Sequence, residues 1–227
     1  MCMSLAPFMD SKNYVFVGET GCGKSEISIN LSFLLHKRDL EVHFFDLDQT
    51  KPLFRSRDLQ NQIQEAGIHF HYENQFYDAP TITGGIAKNL ASENGRCVID
   101  VGGNDTGSRV IGGFASLINQ PNTTVYFVIN PYRPWSKNID TIIETLQSIM
   151  IASRLESVRV ICNPTLGYTT TVDEALEGIK RITDMLNGRL QVDFVTAHES
   201  IAEVLQQKTV YPVFPLKLYL RYPWTQG

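Results

Sequence analysis

The segment from Gly18 to Ser25 has the residue types and the spacing that bind the phosphates of a nucleotide. Its pattern is GxxxxGK followed by serine, and the glycines let backbone N–H groups approach the phosphates closely. Lys24 is expected to bridge the β- and γ-phosphates and to act in catalysis, and the Ser25 hydroxyl is expected to ligate Mg²⁺. We expect the nucleotide to contact this segment and the residue after it, namely Gly18, Glu19, Thr20, Gly21, Cys22, Gly23, Lys24, Ser25 and Glu26.

The residues on both sides of this segment place it between a strand and a helix. The apolar run Tyr14 to Val17 precedes it, and isoleucine and leucine residues at helical spacing follow it. The N-terminus of that helix adds positive potential where the phosphates would lie. A chance glycine-rich turn is therefore the weaker interpretation. We interpret Cys22 as a small residue that fills the loop, since no catalytic partner can be assigned to its thiol.

Two carboxylates, Asp46 and Asp48, follow the second apolar strand, Val42 to Phe45. Side chains alternate along a strand, so both carboxylates are expected on the same side, at the strand end where ligands bind. We expect Asp46 to lie near the Mg²⁺ or to brace the loop. Asp48 is expected to position the attacking water or a metal-bound water and to act in catalysis. An Asx-type turn that closes the strand is the alternative, and at Asp46 it is nearly as well supported.

A third carboxylate, Asp100, ends a later strand and is followed by Gly102 and Gly103, which resembles the DxxG end of a Walker B strand. We expect Asp100 to hold the hydration shell of the Mg²⁺ ion. The backbone N–H of Gly103 could contact the γ-phosphate, so that this loop orders with nucleotide and relaxes after hydrolysis. A simple turn at the strand end is the alternative for Asp100. The predicted metal ligands are Ser25, Asp46, Asp48 and Asp100.

Asn163 ends a further strand and precedes a proline, which places an amide side chain where a nucleotide base could be recognised. A capping or turn role for Asn163 is equally well supported. Both alternatives stay open at this point.

Short apolar runs alternate with helical patterns along the whole chain. Parallel neighbours need crossover connections, so the alternation predicts an α/β fold, a doubly wound and mostly parallel sheet with helices on both faces. We expect one domain over residues 1–227, with a weakly patterned stretch from Thr50 to Gly84 that contains a possible strand from Ile68 to Tyr72. The predicted strands are Tyr14 to Val17, Val42 to Phe45, Cys97 to Val101, Val125 to Ile129, Val158 to Cys162 and Val192 to Val195. The two clearest helices contain Ile139 to Met150 and Val172 to Leu186.

Composition excludes several classes of protein. The net charge of -4 gives no overall basic field for indiscriminate nucleic-acid binding. The four cysteines are widely spaced and form no CxxC pair, so they suggest neither a zinc site nor a disulfide framework. We expect a cytoplasmic protein without a secretory leader or membrane contact, because no run approaches the roughly 18 apolar residues that span a bilayer.

Four segments in this order, GETGCGKS, FFDLDQTKP, VIDVGGND and VRVICNP, resemble the MinD/ParA-like branch of the CobQ/CobB/MinD/ParA superfamily of P-loop proteins. The resemblance spans most of residues 13–164. It implies a P-loop NTPase fold and a switch that depends on ATP and Mg²⁺. It also implies a protein partner or DNA, a possible nucleotide-dependent homodimer, phosphate and metal binding by Lys24 and Ser25, and hydrolysis assisted by Asp48.

The chain departs from this family at Glu19, where the family usually has a lysine that reaches the partner subunit's nucleotide. A carboxylate at this position cannot neutralise phosphate charge. An arginine finger could replace the lysine, although we expect each candidate to be a solvated surface residue. The candidates are Arg55, Arg57, Arg109 and Arg133.

Two other segments could suggest additional functions. His69 and His71 place two imidazoles on one strand face, but no third ligand is evident in the sequence, so metal binding there is not the favoured interpretation. The stretch from Pro215 to Tyr222 alternates like a strand, which argues against a basic amphipathic membrane tail.

The leading functional hypothesis is an ATPase switch whose conformation acts on a partner protein or on DNA. The first alternative is a ligase or transferase of the CobQ/CobB and dethiobiotin-synthetase type, which uses ATP to activate a small acid. The second is a nucleotide-binding subunit with little hydrolysis, suggested by Glu19.

Overall fold

The computed structural model describes residues 11–48, 59–72, 85–103 and 105–220. Eight strands and eight α-helices alternate in these ranges. In chain order they are β1 Asn13–Val17, α1 Lys24–His36, β2 Val42–Asp46, α2 Gln60–Glu65, β3 His69–Tyr72, α3 Ile86–Ala91, β4 Arg96–Asp100, α4 Asp105–Gly112, α5 Ala115–Ile118, β5 Thr123–Ile129, α6 Ile139–Ser153, β6 Arg159–Cys162, α7 Val172–Leu186, β7 Val192–His198, α8 Glu199–Lys208 and β8 Val213–Leu216.

The eight strands form one sheet in the order β3-β2-β4-β1-β5-β6-β7-β8, and every neighbouring pair is parallel. All carboxyl ends of the strands therefore meet at one edge of the sheet. The strand order reverses beside β1, and ligands bind at such a switch point in open α/β sheets. The predicted α/β fold with a doubly wound parallel sheet is confirmed.

Each face of the sheet has its own apolar layer. One face packs against α1 and α2 and buries large aromatic side chains such as Tyr14, Phe44 and Tyr126. The other face packs against α3 to α8 and buries mostly aliphatic side chains. Strands covered on both sides must be apolar at nearly every position, which explains the continuous runs in the sequence. None of the helices in the described ranges is both long and apolar enough to cross a bilayer.

The C-terminal segment corrects one expectation. The predicted strand-like stretch from Pro215 to Tyr222 is confirmed to Leu216, where β8 ends, and is wrong for residues 217–220, whereas Arg221 and Tyr222 lie outside the described residues. After that point the backbone bonds to α1 instead of a strand: the Lys217 N–H donates to Asn30 Oδ1, 2.9 Å away, and Asn30 Nδ2 donates to the Lys217 carbonyl at 2.9 Å. Tyr219 stacks on Phe33 of the same helix. The alternation of side chains predicts a strand here, but hydrogen bonds from side chains of α1 determine the path of the backbone after Leu216.

The outer edge of the sheet carries a stack of imidazole rings. The His43 ring on β2 stacks on both His69 and His71 of β3, with centroids 4.7 Å and 5.2 Å apart. Burial lowers the pKa of His43, and it lowers the pKa of His71 to about 4. Both of these rings are therefore neutral at pH 7.

Candidate functional site

The segment predicted to bind phosphate lies between β1 and α1, at the carboxyl edge of the sheet. Gly23 has φ 101°, and a Cβ atom added to it would lie 2.0 Å from Asn163 Nδ2. Gly18 has φ 138°, and its added Cβ would lie 2.6 Å from the Val128 carbonyl oxygen. Both positions need glycine for the backbone conformation and for the close approach of a neighbouring element.

The Lys24 ammonium lies inside the loop. Its Nζ donates to the carbonyl of Gly18 at 2.8 Å and to the carbonyl of Glu19 at 2.9 Å, and the residue is 1% exposed. Ser25 is also buried in the first turn of α1. The structure thus places the predicted phosphate and metal ligands together at the N-terminus of a helix, where positive potential favours anions.

The three predicted carboxylates meet beside this loop. Asp46 and Asp100 are register partners at the ends of β2 and β4, and β4 itself pairs with β1. Asp46 Oδ1 accepts the Asp48 N–H at 3.0 Å, which is the Asx-type contact considered as an alternative at Asp46. The exposed fractions are 2% for Asp46, 4% for Asp48 and 0% for Asp100. Three buried carboxylates in one cluster require compensating positive charge.

The loop after β4 connects these carboxylates to the phosphate loop. The Thr20 hydroxyl donates to the Gly103 carbonyl at 3.2 Å, and a Cβ added to Gly103 would lie 2.5 Å from the Thr20 nitrogen. A Cβ added to Gly102 would lie 3.3 Å from Asp48 Oδ1. The loop can touch both groups because it carries no side chains at these two positions.

Asn163 supports the loop from the other side. Its Nδ2 donates to the Cys22 carbonyl at 2.7 Å, and its Oδ1 accepts the Thr196 hydroxyl at 2.6 Å. Both ends of the amide thus have partners within the protein, while base recognition by Asn163 stays a prediction. Thr196 was not predicted from the sequence, and its one local signal is a hydroxyl between the apolar residues Val195 and Ala197 of β7.

The two glutamates of the segment have different surroundings. Glu19 is partly exposed, and its Oε2 accepts the Thr20 N–H at 3.1 Å. Glu26 is buried and accepts the backbone N–H groups of Tyr219 at 3.0 Å and Leu220 at 2.7 Å. Burial raises the pKa of the Glu26 carboxyl to about 7. Glu26 therefore holds the C-terminal segment onto α1, and a nucleotide contact there stays a prediction.

Arg133 lies against the phosphate loop. Its Nε donates to the Gly21 carbonyl at 2.9 Å from the loop that follows β5. Arg133 is exposed, as expected for a surface arginine, and the contact with the phosphate loop is an addition that the sequence did not predict. Arg109 is exposed on α4, and Arg55 and Arg57 lie outside the described residues.

A cavity of about 340 Å³ opens beside the loop. It is formed where the loop faces the ends of β6, β7 and β8, and its polar and aromatic lining was not anticipated from the sequence. The general rule that ligands bind beyond carboxyl ends of strands is the signal that could have found it. Its lining residues include Gly21, Gly23, Glu26, Arg133, Asn163, Tyr168 and His198.

Solved structures with a similar fold are P-loop proteins with low sequence identity to this chain. Cell division protein FtsY from Thermotoga maritima is 15% identical with a TM-score of 0.55, and the match covers 83% of this chain and 62% of that one. FlhF complexed with GTP and Mg²⁺ is 15% identical with a TM-score of 0.51, covering 82% and 65%. This chain therefore spans somewhat less than two thirds of either protein, and the likeness establishes the fold. No curated protein sequence matches the chain significantly.

A family model supplies the assignment. The model described as the CobQ/CobB/MinD/ParA nucleotide binding domain matches residues 14–206, which include the phosphate loop, the three carboxylates and Asn163. That range also includes the strands from β1 to β7. The chain belongs to the CobQ/CobB/MinD/ParA family of nucleotide-binding domains.

Proposed function

We propose that this protein binds ATP with Mg²⁺ and hydrolyses it slowly, as a switch whose nucleotide-dependent conformation acts on a partner protein or DNA. The observation that carries the proposal is a buried lysine ammonium in the phosphate loop together with three buried carboxylates at the neighbouring strand ends. Lys24 is the one lysine or arginine side chain buried in the described part of the chain.

The donor set fits a magnesium ion. Ser25, Asp46, Asp48 and Asp100 offer oxygen atoms alone, and hard divalent cations prefer oxygen. One ammonium does not balance three carboxylates, so a divalent cation reduces the remaining charge. When bound, Mg²⁺ would neutralise phosphate charge, while Asp48 holds and orients the attacking water.

Adenine is the base that we propose for the cavity. Guanine presents N–H donors that a recognition site must pair with acceptors, and an unpaired donor is costly. Glu26 is the carboxylate among the described residues of the cavity lining, and it already accepts two backbone N–H groups. The resemblance to the MinD/ParA-like branch, which implies ATP, is the ground on which we propose ATP over GTP for this chain.

The contact between Thr20 and Gly103 supports the switch. A ligand in the phosphate loop acts on Thr20, which bonds to the loop that enters α4. Glu19 places no positive charge across a dimer, whereas Arg133 reaches the loop from within the same chain. Hydrolysis in a monomer, stimulated by a partner, is therefore favoured over hydrolysis that depends on a nucleotide-bound homodimer.

The test measures Mg²⁺-ATP affinity, turnover and molar mass for the wild type, Lys24→Ala, Asp48→Asn and the exposed control Asp140→Asn. We expect loss of binding in Lys24→Ala, binding without turnover in Asp48→Asn, and wild-type behaviour in the control. A wild type that binds no ATP would contradict the proposal. Rapid turnover with a phosphorylated small acid as product would instead support the transferase alternative.

A further inference from the structure

The edge strand β3 and its neighbour β2 bring together three side chains of types that ligate metals. Glu41 precedes β2, His43 lies on β2, and His69 is the register partner of His43 on β3. Glu41 Oε1 is 3.4 Å from His43 Nε2 and 3.5 Å from His69 Nε2. The three ligand atoms all lie within 4.8 Å of one another. The parallel register thus brings two further ligands, Glu41 and His43, to His69.

We propose that Glu41, His43 and His69 form a binding site for a divalent transition-metal ion of the Zn²⁺ class. Zinc bonds to histidine nitrogen and carboxylate oxygen are about 2.0–2.2 Å long, which places two ligands of a tetrahedral ion roughly 3.3–3.5 Å apart. The two distances to Glu41 agree with this spacing. They are longer than the roughly 2.7–2.9 Å of a charge-assisted hydrogen bond.

The second nitrogen of His43 is also fixed. His43 Nδ1 lies 3.0 Å from His71 Nε2, so one ring donates a proton to the other. Metal-binding histidines usually donate their second ring N–H to a fixed acceptor, which sets the tautomer and the ring orientation. His71 stacks on Phe45, with centroids 4.4 Å apart, and is held in place. His71 therefore acts as a positioning residue for the proposed site.

The site is accessible and differs in chemistry from the magnesium site. The side chains of Glu41 and His69 are 52% and 55% exposed, while that of His43 is 18% exposed. An ion can enter from solvent, and three protein ligands leave a fourth position for water or another ligand. Two imidazoles favour Zn²⁺ over Mg²⁺, which prefers oxygen.

The test titrates the purified protein with Zn²⁺ against a chromophoric chelator, with Mg²⁺ in large excess. We expect one ion per chain in the wild type and at least tenfold weaker binding in His69→Ala and Glu41→Gln. His198→Asn, which lies outside the cluster, is the matched control and should bind like the wild type. Circular dichroism verifies that each variant is folded.

Cobalt provides a second measurement. Co²⁺ at this site should give the intense visible absorption of a tetrahedral ion, and His69→Ala should lose it. Equal Zn²⁺ affinity of the wild type and His69→Ala would overturn the proposal and leave the cluster as an ion pair between a carboxylate and imidazoles. Loss of binding in His198→Asn alone would overturn it as well.

Discussion

The two ends of strand β2 carry different chemistry on one short backbone. Its carboxyl end leads to Asp46 and Asp48, which are buried, offer oxygen and lie beside the phosphate loop. Its amino end carries Glu41 and His43, which are more exposed and include a ring nitrogen. About 10 Å of strand separates His43 from Asp46. The comparison teaches that two ends of one strand can differ in donor type and in burial, and these differences are the basis on which we propose a different cation for each end.

Burial also makes the two ends differ in their need for a cation. Unbalanced carboxylates removed from water are costly, so in the proposed function the carboxyl end of β2, the inner end, requires Lys24 and a divalent ion. The rings of His43 and His71 are neutral at pH 7 and have no such requirement. The affinity for a cation should therefore depend on bound nucleotide at the inner end. It should be independent of nucleotide at the amino end of β2, the outer end.

The largest expected effect comes from Gly23→Ala, which should weaken ATP binding at the inner end and leave Zn²⁺ binding at the amino end of β2 unchanged. The added Cβ would overlap Asn163 Nδ2, 2.0 Å away, and the residue would have to keep φ 101°. We expect ATP affinity to fall by about 100-fold or more, a loss of roughly 3 kcal/mol, because strain and displacement of the loop add. Calorimetry with Mg²⁺-ATP measures this loss, and Zn²⁺ affinity should not change.

Gly188→Ala is the matched control for this substitution. Gly188 also has positive φ, 75°, but a Cβ added there has no atom within 4 Å. This variant should bind ATP like the wild type. Equal losses in both variants would assign the effect to backbone strain alone and contradict the role given to the contact with Asn163.

Asp100→Asn should weaken nucleotide binding in Mg²⁺ by about 10–100-fold while Zn²⁺ affinity stays unchanged. The amide keeps the shape of the side chain and removes its charge, so the comparison isolates electrostatics. Asp173→Asn, an exposed change in the first turn of α7, is the control. The measurement is the affinity of each variant for Mg²⁺-ATP and, separately, for Zn²⁺. If Asp100→Asn lowered both affinities, the two ends of β2 would not be independent.

The two ends could be predicted from the sequence to different degrees. The inner end is local: Gly18 to Ser25 is one continuous motif, and Asp46 and Asp100 follow recognisable strands. The outer end requires the pairing of β2 with β3, and no local pattern gives the register that aligns His43 with His69. The class of sheet was predictable because it follows from local alternation of strands and helices. The contacts of Arg133 and Thr196 were not, because they join elements that are distant in the sequence.

Glu26 tests whether burying a carboxylate is also costly where no cation is proposed to bind. Burial raises the pKa of this carboxyl from its ordinary 4.5 to about 7, so the folded state binds the proton more tightly than the unfolded state. Its contribution to stability is full below pH 4.5 and is lost as pH rises through about 7.

We therefore expect the free energy of unfolding of the wild type, relative to Glu26→Gln, to fall by about 2 kcal/mol between pH 5 and pH 8. Urea denaturation at several pH values measures this difference. Glu177→Gln, which changes the same residue type at an exposed position of α7, controls for general charge effects. A difference that is constant with pH would contradict the burial of Glu26 beneath the C-terminal segment.

The smallest expected effect is that of Thr196→Val, which tests how much of the inner end depends on support from a distant strand. The Thr196 hydroxyl donates to Asn163 Oδ1, and Asn163 in turn donates to the Cys22 carbonyl in the loop. Valine keeps the shape of the side chain and leaves that buried acceptor without its donor, at a cost of about 1 kcal/mol. ATP affinity should fall about fivefold.

Thr183→Val, which removes a hydroxyl that bonds within α7, should bind ATP like the wild type, since it lies outside this chain of contacts. An unchanged affinity in Thr196→Val would mean that Asn163 holds the loop without help from β7.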